Sequence, residues 1–124
     1  MIYCTGVAAV ELTYYASPSG REPVREFIDS LEPQHSARIL RSLLLLGEFW
    51  PAIGMPHVAK VSGYRDLWEL RAISRSRAFR LFFAPVGGQL VLLHAVEKKA
   101  RRLAPKEFAL AAERLQDWMR RTQT

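Results

Sequence analysis

The sequence has little of what several common classes of protein require. It contains one cysteine, Cys4, which excludes an intramolecular disulfide and a cysteine-based metal centre. Unbroken apolar runs such as Leu43–Leu46 are far shorter than the roughly 20 residues of a membrane-spanning helix. The stretch Met1–Val10 has no positive charge before its apolar residues, which argues against a secretory signal. We therefore expect a cytoplasmic protein without a membrane partner.

Motifs for most cofactor chemistries are also missing. There is no phosphate-binding Walker loop, no dinucleotide-binding glycine fingerprint and no histidine–carboxylate cluster with metal-ligand spacing. No serine or cysteine stands in a recognisable hydrolase motif. We expect neither a cofactor nor a metal ion, which leaves a binding protein or an enzyme that uses arginine and lysine.

Negative charge is scarce in the second half of the chain. The 124 residues carry a net charge of +6 and suit a single domain over residues 1–124. Residues 1–59 hold four basic and six acidic side chains, whereas residues 60–124 hold fourteen and six. Such a one-sided field attracts a polyanion, either nucleic acid or an acidic protein, although a merely solvated basic surface gives the same composition.

The periodicity of apolar residues predicts an α+β fold. The expected sheet is small and antiparallel, an N-terminal strand plus a three-stranded meander, with two N-terminal helices and a C-terminal helix packed on one face. Gly87-Gly88 predicts the last hairpin. The predicted strands are Glu11–Tyr15, Leu67–Ile73, Ala78–Ala84 and Gln89–Ala95, and the predicted helices run from Pro23, from Pro33 to about Phe49, and from Pro105.

Alternation along two neighbouring strands brings three charged residues to one face. Glu69 and Arg71 share a face of the first strand, and Arg80 takes the corresponding face of the next. If helices cover the opposite face, these three side chains project from an open surface. They are candidates for a catalytic cluster, and the alternative is an ordinary surface ion pair.

A strongly basic segment follows the last strand. His94 could move a proton near neutral pH, or serve as a hydrogen-bonded packing residue. Four cations within five residues suit contacts to phosphate, although a solvated loop is the alternative. The four cations are Lys98, Lys99, Arg101 and Arg102. The candidate RNA-binding side chains are Lys99, Arg101 and Arg102, together with Arg75 and Arg77 of the preceding hairpin.

The order and spacing of these segments resemble the RelE/ParE toxin superfamily, with the HigB-like, phage-derived toxins as the nearest branch. The resemblance covers about Glu11 to Trp118. Its motifs are Leu67-Trp68-Glu69-Leu70-Arg71, Arg80-Leu81-Phe82-Phe83, Leu92-Leu93-His94-Ala95-Val96-Glu97-Lys98-Lys99, and Pro105 before an alanine-rich helix.

The resemblance implies a metal-independent endoribonuclease of a type II toxin–antitoxin system. Such a toxin enters the ribosome, cuts mRNA and is neutralised by a small helix-turn-helix antitoxin. Carried over by position, the family's strand arginines are Arg71 and Arg80, and its paired lysines are Lys98 and Lys99. This chain departs from the family where it has Val96 in place of an aromatic residue and Ala100 in place of a threonine.

Cleavage by the 2′-hydroxyl of RNA needs a proton acceptor and cations for the charge on phosphorus. Arg71, Arg80 and Lys98 could supply the cations, and the candidate bases within the chain are Glu69 and His94, because arginine is a poor base. Two other functions stay open: a non-enzymatic, ParE-like poison of gyrase, and a degenerate protein that only binds its antitoxin.

Overall fold

The computed structural model describes residues 9–54 and 56–122, so Cys4 lies outside the described residues. The described residues form one five-stranded sheet and three helices, an α+β fold as predicted. The helices are α1 (Pro23–Asp29), α2 (Pro33–Phe49) and α3 (Pro105–Thr122), and the strands are β1 (Glu11–Tyr14), β2 (Val58–Lys60), β3 (Trp68–Ser74), β4 (Arg77–Val86) and β5 (Gln89–Lys98).

All three helices begin at the predicted prolines, Pro23, Pro33 and Pro105. Proline suits the first helical turn because its fixed φ matches the helix and its missing N–H would have no partner there. On α1 and α2 the buried residues recur at helical spacing, including Val24, Ile28 and Leu43. The predicted amphipathic helices are therefore confirmed.

The meander of β3, β4 and β5 is also confirmed. Gly87 and Gly88, both at positive φ (59° and 82°), make the two-residue turn between β4 and β5. Each strand extends by one or more residues beyond the predicted end, and β5 reaches Lys98. The edge strand β2 was not predicted from the sequence, because three residues are too few to show alternation.

The sheet is mixed rather than wholly antiparallel. β1 pairs with β5 in parallel, with Glu11 opposite Gln89, and the strand order is β1-β5-β4-β3-β2. A parallel neighbour needs a long crossover, and here α1, α2 and three strands lie between the two partners. The expectation that the N-terminal strand is antiparallel is therefore wrong.

The helices cover both faces of the sheet, not one. α1 and α2 pack on the face that carries Leu81 and Phe83, whereas α3 packs on the face that carries Phe82 and Val91. All four of these strand side chains are fully buried. A sheet that is apolar on both faces needs cover on both, so the prediction of a single helical layer is wrong.

Candidate functional site

Glu69, Arg71 and Arg80 lie together on the face that α3 partly covers. The register of β3 and β4 places Arg71 directly opposite Arg80, and Glu69 opposite Phe82. This confirms the alternation predicted for both strands. Because α3 packs on β4 and β5, the β3 side of this face is left as a cleft. The three charged residues therefore line a cleft beside a helix and not a fully open surface.

A single carboxylate oxygen links the two arginines. Glu69 Oε1 accepts a hydrogen bond from Arg71 Nε at 2.8 Å and lies 3.6 Å from Arg80 Nε. The Glu69 and Arg80 side chains are 10% and 15% exposed, whereas that of Arg71 is 35% exposed. Glu69 and Arg80 are therefore held in place, while Arg71 faces solvent and any ligand in the cleft.

The pKa of one member of the cluster, Arg80, is shifted by its surroundings. Burial lowers the pKa of Arg80, the nearby Glu69 carboxylate opposes that shift, and Arg71 adds to it by repulsion. A guanidinium still stays protonated at neutral pH. Arg80 is thus a positive charge with reduced contact with water, which strengthens its attraction for an anion.

Two adjoining depressions form the cleft, and both are lined by Glu69, Arg71 and Phe108. The first, of about 270 Å³, continues along the end of β5. The second, of about 420 Å³, continues along the loop before β3. The additional lining residues of the first are Arg80, Lys98, Arg102 and Leu103, and those of the second are Lys60, Val61, Ser62, Tyr64 and Pro105.

The predicted catalytic residue Lys98 and most of the predicted RNA-binding cations lie in or near the cleft. Lys98 and Arg102 line the cleft, and Lys99 and Arg101 are exposed beside them. Arg75 is exposed in the turn between β3 and β4.

Arg77 lies apart from that group. Its side chain makes two hydrogen bonds to Glu97, at 2.9 and 2.7 Å, and lies over the Phe79 ring. Phe79 belongs to the core beneath α1 and α2, so Arg77 points away from the cleft.

An irregularity in the sheet places His94 on the face that α3 covers. The register between β4 and β5 shifts at Phe82/Phe83, so Phe82 pairs with His94 and Phe83 with Leu92. As a result both Leu93 and His94 lie on the α3 side, where His94 stacks on Phe82 with an angle of 10° between the rings. Such an extra residue is the usual effect of a β-bulge.

His94 binds α3 rather than the Glu69 cluster. Its Nε2 lies 2.7 Å from Glu107 Oε1, and its Nδ1 lies 3.3 Å from Arg114 Nη1. Arginine can only donate, so Nδ1 accepts and Nε2 carries the proton. Burial lowers the pKa of His94, and the Glu107 hydrogen bond opposes part of that shift. His94 is not among the residues that line the cleft.

Several residues of the cleft wall are not predicted as site residues from the sequence, among them Lys60, Tyr64 and Phe108. Lys60 ends β2 and Tyr64 lies in the loop that follows it. Neither segment shows an apolar periodicity in the sequence. In the sequence, Phe108 fits the apolar stripe of α3 and shows no further signal. The stripe prediction is partly right, because Phe108 packs against the core on that face and also lines both depressions of the cleft.

Comparison with protein families matches residues 26–116 to the family described as phage-derived protein Gp49-like (DUF891). The chain belongs to this Gp49-like family. It is a RelE-like toxin family, associated with the toxins of toxin–antitoxin systems. The matched span includes all of the described residues that line the cleft. No curated protein sequence matches the chain.

Membership of the Gp49-like family supports an antitoxin as partner. None of the helices within the described residues is both long and apolar enough to cross a membrane.

Proposed function

We propose that this Gp49-like protein is a HigB-like toxin that cuts mRNA on the ribosome, without a protein-bound metal, and that a cognate antitoxin neutralises it. The observation that carries the proposal is the carboxylate of Glu69, nearly buried, between two arginines in the lining of a basic cleft. A carboxylate and fixed cations around one point are what internal cleavage of RNA requires.

Each charged side chain in the cleft has one role in the proposed reaction. Glu69 accepts the proton of the 2′-hydroxyl, whose oxygen then attacks the adjacent phosphorus. Arg71 and Arg80 stabilise the charge that develops on the phosphoryl oxygens, because guanidinium groups match that geometry. The bond from phosphorus to the 5′-oxygen breaks, and Lys98 on the same wall gives that oxygen its proton. The products are a 2′,3′-cyclic phosphate and a 5′-hydroxyl.

The cations outside the cleft hold the RNA backbone. Lys99 and Arg101 follow β5 and continue the positive surface beyond Lys98, and Arg102, which lines the cleft itself, adds a further cation. Phosphate contacts of this kind position a nucleic acid without reading its sequence, and they weaken as salt is added. Arg75, exposed in the turn between β3 and β4, can make a further phosphate contact, whereas Arg77 is paired with Glu97.

Induction of the gene without an antitoxin tests the proposal. We expect methionine incorporation to stop and primer extension to show new 5′ ends within translated mRNA. End-group analysis of the upstream fragments should find the cyclic phosphate or its opened product. A 3′-hydroxyl upstream with a 5′-phosphate downstream would overturn the mechanism. Unchanged incorporation with blocked DNA replication would instead identify a ParE-like gyrase poison, and no effect at all a protein that only binds its antitoxin.

A further inference from the structure

Two aromatic rings form part of the wall of the cleft beside the charged cluster. Tyr64 and Phe108 lie nearly parallel, with an interplanar angle of 18° and 6.4 Å between ring centroids. Phe108 in turn packs its ring against Phe82 in a T-shaped contact at 5.3 Å, and Phe82 is fully buried. Both rings are half-buried, and the core residue Phe82 holds Phe108 in place.

Tyr64 shares a depression with the proposed catalytic side chains. The same concave surface of about 420 Å³ is lined by Tyr64, Phe108, Glu69 and Arg71. Its volume falls within the roughly 300–1,000 Å³ that is usual for small-ligand sites. A phosphate held by Arg71 would therefore have an aromatic surface within the same depression.

Two hydrogen bonds fix the conformation of the loop that carries Tyr64. The Val61 N–H donates to the Leu67 carbonyl at 2.9 Å, which closes the loop at its base. Lys60 Nζ donates to the Tyr64 carbonyl at 2.5 Å. Gly63 has a φ of +85°, which a glycine adopts without strain and which allows the sharp turn just before Tyr64. A ring on such a loop loses little freedom when a ligand stacks on it.

We propose that Tyr64, supported by Phe108, is a stacking site for the nucleobase next to the phosphate that Arg71 and Arg80 bind. The inference rests on the proposed function, since it takes the ligand of the cleft to be single-stranded RNA. Aromatic side chains bind bases of any sequence in this way because every base has a π face. The site would orient the nucleotide and place its 2′-hydroxyl against Glu69.

The test separates base contacts from phosphate contacts. The probe is a fluorescein-labelled octamer of 2′-O-methyl RNA, which the protein cannot cut because the attacking hydroxyl is blocked. A second probe has the same backbone with abasic residues throughout. Affinities are measured by fluorescence anisotropy over a range of salt concentrations for wild type, Tyr64→Ala, Tyr64→Leu, Tyr64→Phe and Arg71→Ala.

Loss of the ring should weaken binding only where bases are present. We expect Tyr64→Ala and Tyr64→Leu to bind the base-bearing octamer about 10-fold less tightly and the abasic octamer unchanged. Tyr64→Phe should match wild type. Arg71→Ala should weaken both probes alike and make the salt dependence of binding less steep. Tyr64→Leu retains an apolar contact with Phe108, so a folding defect in Tyr64→Ala would not decide the result.

Two results would overturn the stacking site. One is an equal loss for both probes in Tyr64→Leu, and the other is a wild-type protein that binds the abasic octamer as tightly as the base-bearing one. The proposed endoribonuclease activity is measured separately by primer extension. Base-dependent binding through Tyr64 without mRNA cleavage would therefore remove the enzyme assignment and leave the stacking site in place.

Discussion

Arg71 and Arg80 face each other across the β3–β4 ladder, and the Nε atoms of both approach the same oxygen, Oε1 of Glu69. Like charges directly opposite in a sheet repel each other, so the carboxylate between them stabilises the arrangement. Among the described residues the terminal nitrogens of Arg71 have no hydrogen-bond acceptor, whereas Nη1 of Arg80 has only the Phe79 carbonyl at 3.4 Å. Both guanidinium groups thus keep donors for an anion.

The first prediction concerns these two arginines. Arg71→Ala and Arg80→Ala should each relieve growth arrest, because loss of one positioned donor costs about 10²–10³ in rate. Arg71→Lys should also be impaired, since an ammonium cannot reproduce a bidentate contact. Growth after induction and thermal unfolding are measured together for each variant. Arg41→Ala, which removes an exposed cation from α2 on the far side of the sheet, serves as the control and should stay toxic.

The two arginine variants should differ in stability. Arg71 is 35% exposed, so its truncation should cost less than about 1 kcal/mol. Arg80 is 15% exposed, and its truncation should cost somewhat more because its alkyl chain is packed. If the variants lose toxicity only because they unfold, the site assignment is wrong.

Glu69→Gln provides the second prediction. The amide keeps the shape of the side chain but can neither accept the proton nor balance two arginines. We expect single-turnover cleavage of ribosome-bound mRNA to fall by about 10²–10⁴, the usual contribution of a general base. The free energy of unfolding should fall by about 1–2 kcal/mol, less than for a fully buried pair because Arg71 is partly solvated. Glu113→Gln, exposed on α3, is the matched control, and an active Glu69→Gln variant would exclude Glu69 as the base.

The third prediction concerns pH and His94. Burial lowers the pKa of His94, so the folded protein resists a proton that the unfolded chain takes up near pH 6.5. The resulting stability is complete above pH 6.5 and is lost as the pH falls below that value. Urea denaturation at pH 7.5, 6.5 and 5.5 should show a smaller decline for His94→Gln than for wild type. His57→Gln, at an exposed position, should decline like wild type, and equal declines in all three proteins would refute the prediction.

The fourth prediction concerns Gly47 near the end of α2. A Cβ atom there would lie 2.7 Å from Leu12 Cδ1 and 3.0 Å from the Val10 carbonyl oxygen. Alanine normally stabilises a helix relative to glycine, but here the Leu12 side chain and the Val10 backbone, which is hydrogen-bonded to the Gly47 carbonyl, would have to shift. Gly47→Ala should lower the Tm by several degrees. Gly54→Ala, where a Cβ would contact none of the described residues within 4 Å, should leave the Tm unchanged or raise it slightly. A higher Tm for both variants would show that Leu12 and Val10 adapt to the added methyl group without cost.

Most of the secondary structure could be predicted because its signals are local. The prolines at 23, 33 and 105 mark the helix starts, and Gly87-Gly88 marks the hairpin. Alternation along β3 and β4 placed Glu69, Arg71 and Arg80 on one face, and the structure brings them together.

The rest depends on contacts between distant segments, which alternation within one strand does not reveal. The parallel pairing of β1 with β5 follows from the path of the whole chain. The β-bulge at Phe82/Phe83 reverses the direction of His94, so counting residues along β5 places it on the wrong face. Arg77 lies on the same face of β4 as the core-facing Phe79 and therefore away from the basic surface, and its partner Glu97 lies on another strand. The catalytic and RNA-binding roles themselves stay predictions.

The packing of α1 and α2 against strands that come later in the chain has a consequence for synthesis. The ribosome adds about 5–20 residues per second, so roughly 2–10 s pass between completion of α2 at Phe49 and of β5 at Lys98. During that interval the sheet that covers the apolar stripes of α1 and α2 is incomplete. The cleft also needs Phe108 of α3, so no nascent chain can present the complete cleft until nearly all of its described residues have been made.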